Sequence, residues 1–222
     1  HKRAIWEIPE GLEYEEAAVM DPICNAYKAI AQRSGLLPGE NVVIFGTGPL
    51  GLFSVQIAKI MGALNIVVVG LEEDVKVRFG VARQLGATEV VNGSAEDVVK
   101  RCQEICGGSD SIGLVVDCAG ANICLKQAIE MVRCNGEIVR VGMGFKPVGF
   151  SINDISMKAV SIIGHMAYDA TSWRNSLQLL AAGRIQVKPM ITHRLGLSRW
   201  EEGFEAMANK EAIKVILTYD FD

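Results

Sequence analysis

No run in the 222 residues approaches the ~18 consecutive apolar residues of a membrane-spanning helix. Positive charge is not in excess either: 22 basic against 26 acidic residues leave a net charge of −4, so neither nucleic acid nor a lipid surface is expected as a partner. Small molecules fit better. The six cysteines (Cys24, Cys102, Cys106, Cys118, Cys124, Cys134) form no CxxC pair and no small-domain disulfide pattern, which points to reduced core thiols in a cytoplasmic protein. Proline is scarce beside glycine, 6 against 23, and half of the residues are hydrophobic, which suits a soluble globular α/β body. The opening HKRAIWEIPEGLEYEEAA lacks the apolar centre of a signal peptide, and its start at His1 rather than methionine leads us to expect a trimmed or partial chain.

What is present is an alternation. From Asn41 onward β-branched runs (NVVIF, NIVVVG, TEVVN, IGLVVD, EIVRVG) are separated by helical stretches such as PLGLFSVQIAKIMG, AEDVVKRCQEIC and CLKQAIEMVRCNG. Strands alternating with helices form parallel sheets through crossovers, and runs without period-two polarity are covered on both faces. The fold class is therefore α/β: a Rossmann-type, doubly wound, parallel six-stranded sheet, with the sixth strand at Ala159–Gly164 and a helix near Thr171–Ala182. Gly62, Gly86 and Asn135-Gly136 fall just past helical stretches, as left-handed stop residues do. Residues 1–20 read as extended and acidic. The far end carries a short amphipathic helix near Arg199–Ala208 and a closing strand at Lys214–Tyr219. We divide the chain into a tail (1–20), a dinucleotide-binding body (21–190) and a return segment (191–222), the two ends belonging to a neighbouring lobe.

The most specific motif is Gly46-Thr47-Gly48-Pro49-Leu50-Gly51, a GxGxxG directly after a strand and opening an apolar helix. The first glycine permits the tight turn, the second lets the backbone approach a pyrophosphate, and the third lets helix and strand pack closely. Pro49 fits the first helical position, where its missing N–H costs nothing. A glycine-rich turn with no ligand is the alternative. An acid ending the second strand would bind the ribose hydroxyls of NAD and repel the extra phosphate of NADP. Counted forward from Gly62-Ala63 that place falls on Gly70; counted back from Gly86-Ala87 it falls on Glu73. Because Glu72, Glu73 and Asp74 are acidic and Arg78 lies a turn into the next helix, NAD is favoured and NADP is the alternative; the same acids would also cap a helix opening at Val75.

Three further features stand out. Asp21-Pro22 reads as a helix start, the carboxylate capping free amides and the proline occupying the first turn. Cys102 and Cys106, one helical turn apart, share a helix face or pair around a metal. His165 and His193 are not spaced with a second metal ligand; His165 follows the sixth strand and is either a pocket contact or a hydrogen-bonded structural residue.

With VIFGTGPLGLFSVQIAKIMGA, ARQLGATEVVN, VVDCAGA, NGEIVRVG and AIKVILTY in this order, nearly the whole chain resembles the nucleotide-binding part of zinc-dependent medium-chain alcohol and polyol dehydrogenases. DPICNAYKAI resembles the sorbitol (iditol) and threonine dehydrogenase branch. The resemblance implies hydride transfer between NAD and a secondary alcohol, polyol or threonine-like, whose hydroxyl is polarised by zinc. It assigns Gly46, Gly48 and Gly51 to the phosphate loop, the backbone at Pro49 and Leu50 to the pyrophosphate, Asp117, Cys118, Ala119 and Gly120 to the path of the cofactor, and Val141, Gly142 and Met143 to the nicotinamide carboxamide. It matches Lys214 to a basic residue that reaches the pyrophosphate, a solvated strand-start lysine being the other reading. It matches Asp21 to an acid or cysteine at or beside the catalytic zinc, one methylene shorter than the glutamate often found there. It further implies a GroES-like catalytic lobe with the remaining zinc ligands; none precedes Trp6, so we expect the C-terminal portion of a longer enzyme, binding cofactor with little or no turnover by itself. A homodimer or homotetramer is expected through the apolar edge SIIGHMA. A zinc-free quinone or enoyl reductase and a non-catalytic NAD-binding module are the alternatives.

Overall fold

In the computed structural model, which describes residues 5–219, six strands form one sheet; the first four residues of the tail and the last three of the return segment lie outside the described residues. The strands are β1 (Asn41–Phe45), β2 (Ile66–Gly70), β3 (Glu89–Asn92), β4 (Ile112–Asp117), β5 (Glu137–Arg140) and β6 (Ser161–Gly164). They pair in the order β3-β2-β1-β4-β5-β6, every neighbouring pair parallel. This is the Rossmann-type doubly wound sheet. The winding reverses between β1 and β4, which opens a crevice beyond the carboxyl ends of those two strands, where such sheets bind ligands.

The absence of polar alternation in β1, β2 and β4 follows from burial on both faces. Val42 and Ile44 enter one core with Ile23 and Cys24 of α2 (Met20–Tyr27), Leu52 and Phe53 of α3 (Pro49–Ile60), Leu85 of α4 (Arg78–Leu85) and Leu180 of α8 (Ala170–Ala181). Val43 and Phe45 enter the other core with Val98, Cys102 and Cys106 of α5 (Val98–Cys106) and Leu125 and Ile129 of α6 (Asn122–Met131). Each fully buried Leu, Ile or Phe contributes about 1.5–3 kcal/mol. Cys102 and Cys106 therefore share the buried face of α5, and burial pushes their thiols up to about 12 and 11. Two further helices are short, α1 (Tyr14–Ala17) and α7 (Ile152–Ser156).

Residues 191–219 stand apart from the large sheet. β7 (Ile191–Gly196) and β8 (Lys214–Thr218), joined through α9 (Trp200–Ala208), form a separate parallel pair. The chain just ahead of the segment is tied to α3 by Gln56, whose amide both donates to the Gln186 carbonyl at 3.0 Å and accepts from the Gln186 N–H at 2.7 Å. A second tie runs from the Arg78 guanidinium to the Ala212 carbonyl at 2.8 Å.

Four local expectations are corrected. The tail is not wholly extended, because Tyr14–Ala17 forms α1, capped at Glu13, whose N–H donates to the Glu16 carboxylate. Asp21 does not cap α2: Val19 stands at the cap, Asp21 is already helical, and its carboxylate accepts from Asn25 Nδ2 at 3.3 Å. Pro22 falls third in the helix, where an N–H has no intrahelical partner to lose. The helix expected from Val75 opens at Arg78, because Glu72–Asp74 first makes one 3₁₀ turn. β6 begins at Ser161 rather than at residue 159, since Ala159 has φ +52°, which no strand accommodates. Among the described residues no helix is long and apolar enough to cross a membrane.

Candidate cofactor site

β1 ends at Phe45, and the chain turns through Gly46 at φ +103°, its N–H donating to the Val69 carbonyl. A side chain on Gly51 would place Cβ 1.9 Å from the Gly46 carbonyl oxygen, so the first turn of α3 lies directly on the strand end. Gly48, by contrast, faces open space, with nothing within 4 Å of its own Cβ position. Gly48 caps α3 and Pro49 follows, leaving the first-turn amides after it without intrahelical acceptors. An open glycine beside free amides at the positive end of a helix dipole is suited to a phosphate.

Two clefts meet at this turn, both bordered by Gly48 and Cys118. The first, of about 380 Å³, runs over the ends of β1 and β2 and is lined by Gly46, Thr47, Gly70, Asp74, Arg78, Ala119 and Lys210 among others. The second, of about 470 Å³, is lined by Asp21 and Asn25 of α2, the Gly48–Gly51 turn, Val141, Met143, His165 and Lys214 among others. Most of the residues singled out in the sequence therefore border one cleft or the other. Gly142 borders neither but packs behind, its Cβ position 2.3 Å from the Gly120 N.

Glu72 and Glu73 border neither cleft. Glu72 accepts from Asn92 Nδ2 at 2.6 Å, and Glu73 pairs with Lys210, which holds its carboxyl below the usual range. The acid at the end of β2 is instead Asp74, 4% exposed. Its Oδ2 accepts from the Leu71 N–H at 2.8 Å and lies 2.9 Å from where a Cβ on Gly70 would be; its Oδ1 faces Arg78 Nη1 at 3.3 Å. The 3₁₀ turn thus folds the third acid of the run back over the strand end, a placement that counting residues from either side does not give. Arg78 Nε is buried at this wall without a hydrogen-bond partner among the described residues.

On the other side a polar chain runs through residues far apart in sequence. Asn25 Nδ2 donates to the Asp21 carbonyl and carboxylate at 3.0 and 3.3 Å, and His165 Nε2 lies 3.1 Å from Asn25 Oδ1. Because an amide oxygen only accepts, Nε2 carries the proton and the buried Nδ1 is left bare. Burial first, then Lys28 and Arg33, hold the imidazole below its ordinary pKa. Burial and the Asp21 carboxylate push the Tyr168 phenol up. At the junction of the clefts, burial pushes the Cys118 thiol up to about 12, its Sγ 3.6 Å from Ser54 Oγ. It stays a thiol at neutral pH.

A doubly wound sheet with paired clefts across a phosphate-suited turn defines a Rossmann-type nucleotide-binding unit. Residues 49–182 match the zinc-binding dehydrogenase family, and the chain belongs to that family. It is 72% identical, over its whole length, to the uncharacterized zinc-type alcohol dehydrogenase-like protein YdjL of Escherichia coli (strain K12), of which it spans 62%. It is 32% identical to sorbitol dehydrogenase of Gallus gallus over 97% of the chain and 59% of that protein. The 2R,3R-butanediol dehydrogenase of Bacillus subtilis superposes with a TM-score of 0.87 at 29% identity, covering 97% of the chain and 60% of that structure. The chain thus spans about three fifths of the length of these relatives.

The residues present fit a nicotinamide dinucleotide: a phosphate-suited turn open at Gly48, two adjoining clefts and a buried guanidinium nitrogen without a partner among the described residues. For zinc the fit is to one donor. Among the described residues no three His, Cys, Asp or Glu side chains group to hold a metal, while the exposed Asp21 carboxylate on the cleft wall offers an oxygen.

Proposed function

We propose that this chain binds NAD(H) across the Gly48 turn, the adenosine half in the 380 Å³ cleft and the nicotinamide half in the 470 Å³ cleft, as the cofactor-binding part of a zinc-dependent dehydrogenase acting on a secondary alcohol of the polyol type. The observation that carries this reading is the meeting of two clefts over the free amides of α3. Nicotinamide supplies the hydride acceptor and donor, and zinc a Lewis acid for the substrate oxygen.

The chain's own residues do the rest. The α3 amides and Lys214 hold the pyrophosphate, Asp74 accepts from the ribose hydroxyls, and the backbone at Val141–Met143 orients the carboxamide. Asp21 contributes one oxygen toward the metal and, through Asn25, holds the neutral His165 at the nicotinamide end. NAD rather than NADP is favoured because Asp74 is a buried carboxylate at the strand end, where a further phosphate would meet like charge. Self-association is supported by β6, which ends the sheet with no further strand paired to it among the described residues.

Calorimetric titration of the chain with NADH and NADPH tests the reading. NADH is expected to bind at least about tenfold more tightly, and equal or reversed affinities would remove Asp74 as the discriminator.

A further inference from the structure

The floor between the two clefts is built around a charge pair for which the reading above has no use. Asp117 ends β4 and is fully buried, and Arg140 ends the adjacent β5. Asp117 Oδ1 accepts from the N–H groups of Ala119 and Gly120 at 3.1 and 2.8 Å, while Oδ2 accepts from Arg140 Nη1 at 2.6 Å. The Asp117 carbonyl accepts from the N–H groups of Val141 and Gly142 at 2.9 and 2.7 Å. Arg140 Nη2 then donates to the Gly120 carbonyl at 2.8 Å, so the guanidinium fork spans from the carboxylate to the loop that the carboxylate organises.

These bonds join two loops already in backbone contact. A Cβ on Gly120 would stand 2.6 Å from the Met143 carbonyl oxygen, and one on Gly142 would stand 2.3 Å from the Gly120 nitrogen. Burying two charges is a poor way to gain stability, since an apolar pair of similar volume does as well. What a bidentate guanidinium gives in addition is a fixed geometry. The loop beyond is held separately, Asn122 donating to the Lys146 and Pro147 carbonyls at 3.3 and 2.9 Å. The pair therefore acts on the stretch that borders the cleft.

We propose that Asp117 and Arg140 are positioning residues that lock the Cys118–Gly120 and Val141–Met143 backbones together as the wall against which the nicotinamide ring is oriented. Neither side chain need touch the cofactor. The proposal rests on the cofactor reading above and assigns the pair to the nicotinamide half alone.

The test compares NADH with ADP-ribose, which lacks nicotinamide, in calorimetric titrations of the 222-residue chain. Arg140→Lys keeps the charge and loses the fork. It is expected to weaken NADH binding by about tenfold or more while ADP-ribose affinity stays within about twofold, and to reduce the fluorescence enhancement of bound NADH. The double variant Asp117→Asn/Arg140→Met leaves no unpaired buried charge and is expected to show the same selective loss if the single variant does not fold. Parallel weakening of both ligands, or unchanged NADH binding in a folded variant, would overturn the positioning role. Wild-type binding of ADP-ribose with no gain for NADH would overturn it too, leaving the dinucleotide site standing. Binding of neither ligand would overturn both.

Discussion

A Cβ on Gly51 would stand 1.9 Å from the carbonyl oxygen of Gly46, whose own N–H donates to the Val69 carbonyl. Gly51→Ala must therefore push α3 off the end of β1. The overpacking is expected to cost about 1–3 kcal/mol of stability and to lower NADH affinity, because the amides move with the helix. Thermal melts and titrations check both, and a variant matching wild type in each would show that the helix start has slack.

Asp74 is the acid that reaches the end of β2, whereas Glu72 and Glu73 are held by Asn92 and Lys210. Asp74→Asn keeps an oxygen for the Leu71 N–H and removes the charge. Its NADH-to-NADPH affinity ratio should fall by roughly tenfold, while Glu73→Gln should leave the ratio within about twofold. If Glu73→Gln changes the ratio and Asp74→Asn does not, the assignment of the ribose acid is reversed.

His165 gives stability a pH dependence of known sign. Its folded-state pKa lies below the ordinary 6.5, through burial and then through Lys28 and Arg33, so the unfolded chain takes up the proton first. The contribution is complete above 6.5 and is lost as the pH falls from 6.5 through the folded-state value. His165→Gln, which can keep a partner for Asn25, should flatten that part of the profile in melts recorded between about pH 7.5 and 5. Identical slopes for variant and wild type would contradict it.

The thiols differ in reach. Burial pushes Cys24, Cys102 and Cys118 up to about 12, whereas Cys134 is exposed. An aromatic disulfide reagent at neutral pH should titrate Cys134 rapidly and the buried thiols slowly, and Cys134→Ser should remove the fast phase. A fast phase surviving in the variant would show that a second thiol, in the core or at a cleft wall such as Cys118, is open to the reagent.

Asp21 is one candidate donor, and the described residues bring no group of three metal ligands together. The 222-residue polypeptide is accordingly expected to bind NADH without oxidising polyols, with or without added zinc. Absorbance at the reduced-nicotinamide band checks this, and turnover above the blank would mean that this chain completes a catalytic site by itself.

The sheet was legible because its signals are local: apolar runs without alternation, a GxGxxG between strand and helix, and left-handed stops such as Gly62 at φ +86° and Gly86 at φ +121°. Local signals were also where reading failed. Asp21 looked like a cap because an acid before proline opens many helices, but α2 starts earlier. The acids after β2 could not be ordered by counting, since a 3₁₀ turn changes which one folds back. Asn25 meets His165 across 140 residues, and Asp117 meets Arg140 across 23 on a neighbouring strand; such pairings follow from strand order and register, which no single stretch encodes.

Arg78 belongs to two structures at once, the wall of the smaller cleft and the tie to the Ala212 carbonyl ahead of β8. Whatever fills that cleft and steadies the guanidinium also tightens the attachment of the β7–β8 pair, and by reciprocity a firmly docked pair presents a better-ordered guanidinium to the incoming molecule. Filling the cleft and docking the pair share that side chain, and amide hydrogen exchange in β8 is expected to slow when the cleft is filled.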